Sequence, residues 1–230
     1  MKLAVMQPYF FPYIGYFQLI KAVDKFVFYD DVNFIKNGWI NRNRIIINGH
    51  ANYFTIQLKG ASSNKLIKDV GFTDNRRKLV STIMMAYKRA PYYMQSFPVI
   101  EKILNYQTDS INELAIYSVK QVCNYLGIST NFEVSSLNYP DSKGMDKAER
   151  LKEICQINNS NQYINPIGGQ ELYKKEDFKH SDINLSFIKT NYVEYKQFQN
   201  EFIAGLSIID IMMFNSIEEI QIQLDNYELI

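Results

Sequence analysis

The sequence predicts an α/β fold: a Rossmann-like, doubly wound parallel sheet with an inserted β-hairpin and a helical block. Three observations predict it. Strand, loop, helix and strand follow one another within about the first 30 residues, the spacing of a βαβ unit. Short apolar runs alternate with helical periodicities again from residue 131 onward. Between these two stretches, Asn48-Gly49 separates two β-prone runs and marks a hairpin turn.

The elements follow in order. Residues 3–6 form a short buried strand that Pro8 ends. The 7–15 loop leads into a helix that opens near Gly15 and runs to about Val23, with Phe17, Ile20 and Val23 on one face. Residues 26–29 are the second strand, parallel and adjacent to the first, and it ends in Asp30-Asp31. Residues 44–47 and 53–56 are hairpin strands, with His50-Ala51-Asn52 widening the loop. Helices over 75–87, 92–106 and 110–126 make a helical block at about 75–127, which Gly127 caps. A strand at 131–134, a helix at 146–157, and strands at 162–165 and 184–188 complete the sheet. Two short helices near 208–213 and 217–224 end the chain. With no linker or repeat, residues 1–230 read as a single α/β domain.

Composition narrows the function. Hydrophobic residues are 47% and charged residues 21%, so the chain is globular rather than disordered. A net charge of +1 excludes the basic footprint of a nucleic-acid binder. No apolar stretch approaches the ~20 residues of a membrane span, and the start lacks the features of a signal peptide. Cys123 and Cys155 are too few for a disulfide framework or a four-ligand zinc site, and both fall on apolar helix faces as core thiols. These features predict a cytoplasmic, reduced protein, a monomer or simple homo-oligomer. The 17 tyrosines and 15 phenylalanines against one tryptophan favour a pocket of flat faces with polar tips, beyond what the core uses.

In an open α/β sheet, ligands sit beyond the carboxyl ends of the strands. That rule selects four loops. In the first, Gln7, Tyr13, Gly15 and Tyr16 are substrate-binding candidates, with Gly15 letting a ligand approach a helix N-terminus. The loop is similar to the first loop of nucleotidylyltransferases, but Tyr13-Ile14-Gly15-Tyr16 stands where their His-x-Gly-His lies. The second loop concentrates Asp30 and Asp31 as candidate bases, Lys36 and Arg42 as phosphate ligands, Trp39 as a stacking face, and Asn41 and Asn43 as amide donors. In the third, Lys143 and Arg150 lie at a helix start capped by Asp146. In the fourth, Gly168 and Gly169 form a strand-to-helix turn. His50 and His180 read as surface residues. No metal-ligand spacing, catalytic triad motif, Walker loop or Gly-x-Gly-x-x-Gly occurs.

Several strings together resemble the WbqC-like family. They are Met6-Gln7-Pro8-Tyr9-Phe10-Phe11-Pro12-Tyr13-Ile14-Gly15-Tyr16-Phe17, Tyr29-Asp30-Asp31-Val32, and Lys36-x-Gly38-Trp39-Ile40-Asn41-Arg42-Asn43. Farther on come Gly168-Gly169-x-x-Leu172-Tyr173 and the Leu206-to-Asn215 run. The resemblance implies a bacterial protein of surface-polysaccharide (O-antigen, lipopolysaccharide) pathways that make unusual amino sugars. It implies an acyl or aminoacyl transferase acting on the amino group of a nucleotide-linked amino sugar. The donor's carrier stays open between an acyl thioester, with acyl-CoA or another thioester favoured, and an aminoacyl adenylate. In that reading Asp30 or Asp31 is the base, Asn41 or the Gly15 N–H polarises the carbonyl, and Lys36 and Arg42 grip the diphosphate. Two alternatives stay open: nucleotidylyl or adenylyl transfer using ATP–Mg²⁺, and a non-catalytic sugar-nucleotide binding protein.

Overall fold

The computed structural model describes residues 1–198 and 201–230. β1 (Lys2–Met6), α1 (Ile14–Lys21) and β2 (Lys25–Phe28) form the expected βαβ unit. β1 and β2 are parallel neighbours, with Ala4 opposite Phe26 and Met6 opposite Phe28. The later strands join them: β7 (Asn131–Val134), β8 (Gln162–Pro166), β9 (Asn184–Thr190) and β10 (Tyr227–Leu229). The sheet order is β10-β9-β8-β1-β2-β7, and every pairing is parallel except β9 with β10. The order reverses between β1 and β8, so the crossovers leave that point in opposite directions. The final strand, β10, was not expected; its Tyr-Glu-Leu is too short to show a period of two.

Strand residues alternate between two apolar layers, as a sheet covered on both faces requires. Ala4, Phe26, Phe28, Ile164 and Ile188 belong to the larger core. Leu3, Val5, Val27, Tyr163, Leu185 and Phe187 belong to the smaller one, beneath α6 (Lys147–Ile157) and α7 (Lys175–Lys179). The helical block packs on the larger side as α2 (Arg76–Tyr87), α3 (Tyr93–Leu104) and α4 (Ile111–Tyr125). Gly127 ends α4 with φ +70°: its N–H bonds to Asn124 O (3.3 Å), and Ile128 N–H bonds to Cys123 O (2.8 Å). That pair of bonds is a Schellman cap. α8 (Ile208–Phe214) and α9 (Ile217–Leu224) return to this side.

The hairpin is tighter than expected. β3 (Arg42–Ile47) and β4 (His50–Thr55) pair up to Ile47 opposite His50, so the turn is Asn48-Gly49 alone. Both turn residues take positive φ, +52° and +80°, which asparagine and glycine tolerate and which fits a two-residue loop. His50, Ala51 and Asn52 are strand residues. A second small ladder, β5 (Leu58–Lys59) with β6 (Gly71–Phe72), links the hairpin to the helical block. Among the described residues no helix is long and apolar enough to cross a membrane.

Candidate functional site

Because five strands run parallel, the segments after β1, β2, β7 and β8 all leave the same edge of the sheet. The first of them, after β1, is held by groups from distant parts of the chain. Phe11 is buried with φ +43°, a left-handed conformation that is costly for a bulky residue. Its carbonyl accepts hydrogen bonds from Asn43 Nδ2 (2.9 Å) and Ser207 Oγ (2.8 Å), and its N–H donates to Ser118 Oγ (3.3 Å). Next to it, Phe10 N–H donates to Trp39 O (3.1 Å) and Ile208 N–H to Pro12 O (2.8 Å). Loop, hairpin, helical block and the start of α8 therefore meet at one strained residue. Asn43 is committed to this joint, its Oδ1 also accepting from Arg44 N–H (2.8 Å).

Gly15 and the tyrosines beside it also have packing roles. A Cβ on Gly15 would lie 2.3 Å from Thr190 Oγ1 and 2.4 Å from the Tyr13 ring. Thr190 and Tyr13, not a ligand, fill the space in front of this glycine. Gly15 is what lets α1 meet the carboxyl end of β9. Tyr16 is buried and donates to Gln7 O (2.8 Å). Tyr13 remains half-buried. Burial, with the neighbouring phenols of Tyr192 and Tyr9, pushes its pKa up to about 12 against a hydrogen bond with Thr190. It therefore stays protonated and is a donor.

The aspartates after β2 are buried and saturated with donors. Asp30 Oδ1 accepts from Ser136 N–H (3.0 Å), and Oδ2 from Asn112 Nδ2 (3.0 Å) and Ser136 Oγ (2.9 Å). Asp31 Oδ2 meets Arg150 Nη2 at 2.6 Å, and Oδ1 accepts from Ser135 Oγ at 2.5 Å. Ser135 and Ser136 open α5 (Ser135–Asn138), directly after β7, and so bind one strand end to the next. Burial works against the Asp31 charge. Hydrogen bonds from Arg150 and Ser135, with the guanidinium charge, outweigh it and hold the carboxyl below its ordinary range. A carboxylate this well solvated by protein is a weak base. Arg150, expected at a helix N-terminus facing a ligand, instead turns inward, with Nε on Ser142 Oγ (3.1 Å) and its guanidinium 4.8 Å from the Tyr29 ring centre.

Among the described residues, no hydrogen bond or ion pair joins these aspartates to Lys36, Trp39 or Arg42. The hairpin groups gather separately. Lys36, Asn41 and Arg42 line an open hollow of about 330 Å³ with Thr55, Gln57 and Leu58. Asn41 gives one amide N–H to Ile56 O (2.9 Å) and keeps the other. Arg42 donates to Gly38 O (3.2 Å) and Asn37 O, and lies over Tyr53. Lys143 and Gly168 are exposed, and nothing approaches Gly168. Gly169 is buried against the Asn165 amide, where a Cβ would lie 2.7 Å from Asn165 Oδ1.

Two polar groupings escaped the sequence reading. Asn112 and Ser135 complete the aspartate cluster from the helical block and from the start of α5, with no motif to flag them. Asp210, in α8, is fully buried and accepts from Tyr87 Oη (2.7 Å), Tyr195 Oη (2.7 Å) and Gln197 Nε2 (2.8 Å). Burial pushes its carboxyl above the ordinary range, against these three bonds. Its place as the one polar residue of the Ile208–Phe214 run is the signal that could have found it. Both cysteines are free and buried, one in each core, as expected. Among the described residues no group of three or more His, Cys, Asp or Glu side chains is placed to hold a metal ion.

A family model described as the WbqC-like protein family matches residues 7–222. A protein of Mycobacterium tuberculosis, described as uncharacterized protein Rv1507c, is 29% identical over 216 residues, covering 92% of each chain. No solved structure matches.

Proposed function

The chain belongs to the WbqC-like protein family, and from that premise we propose that it transfers an acyl or aminoacyl group to the amine of a nucleotide-linked amino sugar. The observation that carries the reading is the reversal of strand order between β1 and β8. In a Rossmann-like sheet such a reversal opens a crevice for a nucleotide at the carboxyl edge. The loops bearing Tyr13, Trp39, Lys143, Gly168 and Gly169 belong to that edge. The pathway is assembly of a bacterial surface polysaccharide, and the acyl donor is a thioester.

The reaction needs a neutral amine, a donor for the oxyanion and a grip on the diphosphate. An amine flanked by electron-withdrawing groups loses its proton near neutrality, as an α-amino group does at about 7.7–8.0. We therefore assign no strong side-chain base. Asp30 and Asp31 become positioning residues that fix the ends of β2 and β7. The protonated Tyr13 phenol and the second N–H of Asn41 are the oxyanion donors, and Lys36 and Arg42 bind phosphate.

The test is a thermal-shift series with UDP-N-acetylglucosamine, a nucleotide-linked free amino sugar, acetyl-CoA and ATP–Mg²⁺, followed by mass spectrometry of the amino sugar. Ligands that bind only the native state raise its melting temperature. A shift with the amino sugar and a mass gain of one acyl group support the reading. A shift with ATP–Mg²⁺ alone would replace it with nucleotidyl transfer.

A further inference from the structure

The charge of the chain is unevenly distributed. Residues 32–68 contain Lys36, Arg42, Arg44, Lys59, Lys65 and Lys68 and not one Asp or Glu. This segment carries +6 while the whole chain carries +1, which leaves the remainder at −5. Among the described residues none of the six cations makes an ion pair, whereas the buried guanidiniums elsewhere do, Arg150 with Asp31 and Arg76 with Asp74. A stretch with no internal counter-charge attracts an anion from outside.

The hairpin arranges part of that charge. Arg42 pairs across the ladder with Thr55 and Arg44 with Tyr53, so these four side chains share one face. On that face the Arg42 guanidinium carbon lies 4.5 Å from the Tyr53 ring centre. Tyr53 stacks on Trp39 with centroids 6.2 Å apart and planes at 30°, and Arg44 lies 5.9 Å from the Trp39 ring. Two flat rings thus hold two guanidiniums in fixed planes. Tyr53 is 54% exposed, so the face is open to solvent. Arg44 is the incomplete member. One Nη2 N–H reaches Gly205 O (3.2 Å), and the buried Nε has no partner among the described residues. The hydroxyl of Tyr192, a residue 46% exposed, borders the same place, since a Cβ on Gly205 would lie 3.4 Å from it and 3.6 Å from Arg44 Nη2. A buried donor left unpaired is costly unless a ligand or water completes it.

We infer that residues 32–68 form an anion-binding module whose working face is the Arg42–Tyr53–Trp39–Arg44 ladder, with Arg44 a phosphate ligand alongside Arg42. The ligand class is an organic diphosphate. That it is the diphosphate of a nucleotide-linked sugar rests on the function proposed above; the anion site itself does not. Planar guanidiniums recognise phosphate by paired N–H···O bonds, and their pre-set planes reduce what ordering costs on binding. The 330 Å³ hollow beside Lys36 and Arg42 adjoins the Thr55 end of the same face and has room for the rest of the ligand.

The experiment is isothermal titration of the full-length protein with inorganic pyrophosphate, UDP and UDP-N-acetylglucosamine at low and high salt. The wild type should bind pyrophosphate and UDP, less tightly as salt rises. Arg44→Gln should weaken both by about tenfold or more, the factor for a lost charge-assisted hydrogen bond. Lys179→Gln, an exposed charge far along the sequence, should leave binding unchanged. If Arg44→Gln does not fold, Arg44→Lys replaces it: it keeps the charge but loses the fork, and binding should still fall severalfold. Wild-type affinity in the folded Arg44 variant, or no binding of pyrophosphate and UDP by the wild type, overturns the inference. UDP-N-acetylglucosamine binding that ignores Arg44 overturns it too while leaving the proposed function standing. Arg44-dependent pyrophosphate binding without any amino-sugar acylation does the reverse.

Discussion

Asp31→Ala separates a structural carboxylate from a catalytic one. The Asp31 and Arg150 side chains are 1% and 4% exposed and meet at 2.6 Å, so removing Asp31 strands a guanidinium out of reach of water. Breaking a buried pair from one side costs about 3–5 kcal/mol. For a chain of this size each kcal/mol moves the melting temperature by roughly 2–4 °C, so the variant should melt roughly 6–20 °C lower. Replacing both partners, as Asp31→Leu with Arg150→Met, removes the stranded charge and should lose less than the single change. Calorimetry at pH 7 measures all three proteins. The pH dependence gives an independent check. The folded pKa of Asp31 lies below its unfolded value of about 3.9, so its stabilisation is fully present above that value. It is lost as pH falls through the folded pKa, and Asp31→Ala should flatten this part of the acid limb. An Asp31→Ala protein that melts within about 2 °C of wild type would refute the structural reading. If that protein also failed to turn over substrate, Asp31 would return as a chemical group.

Gly15→Ala should destabilise by about 1–3 kcal/mol in urea titrations, because its methyl group would overlap Thr190 and Tyr13; unchanged stability would mean that α1 is free to shift. Burial raises both thiol pKa values, that of Cys155 to about 12, so neither cysteine should react with a thiol reagent such as dithionitrobenzoate before the chain unfolds. Rapid labelling of native protein, or more than about a tenfold loss of turnover in a folded double Cys→Ala variant, would point to thiol chemistry.

The sequence by itself determined the elements whose signals are local. The βαβ opening, the three helices of the block and the left-handed cap at Gly127 follow from periodicity, Gly and Pro placement and capping side chains acting over a few residues. It also determined that the loops after β1, β2, β7 and β8 share one edge, since parallel strands leave no other arrangement. What only the tertiary structure decided is which polar groups are free to act. Asp30 and Asp31 read as candidate bases in the chain, yet Asn112, Ser135, Ser136 and Arg150, some 80 to 120 residues away, occupy their oxygens. Gly15 reads as an opening for a ligand until Thr190, 175 residues later, fills the space. Arg44 reads as an ordinary strand residue, and only the packing of Trp39 and Gly205 around it leaves its guanidinium without a counter-ion. The reason is physical: backbone preference is set within a turn or two of chain, whereas the charge state and availability of a side chain are set by whatever the fold brings within about 4 Å of it.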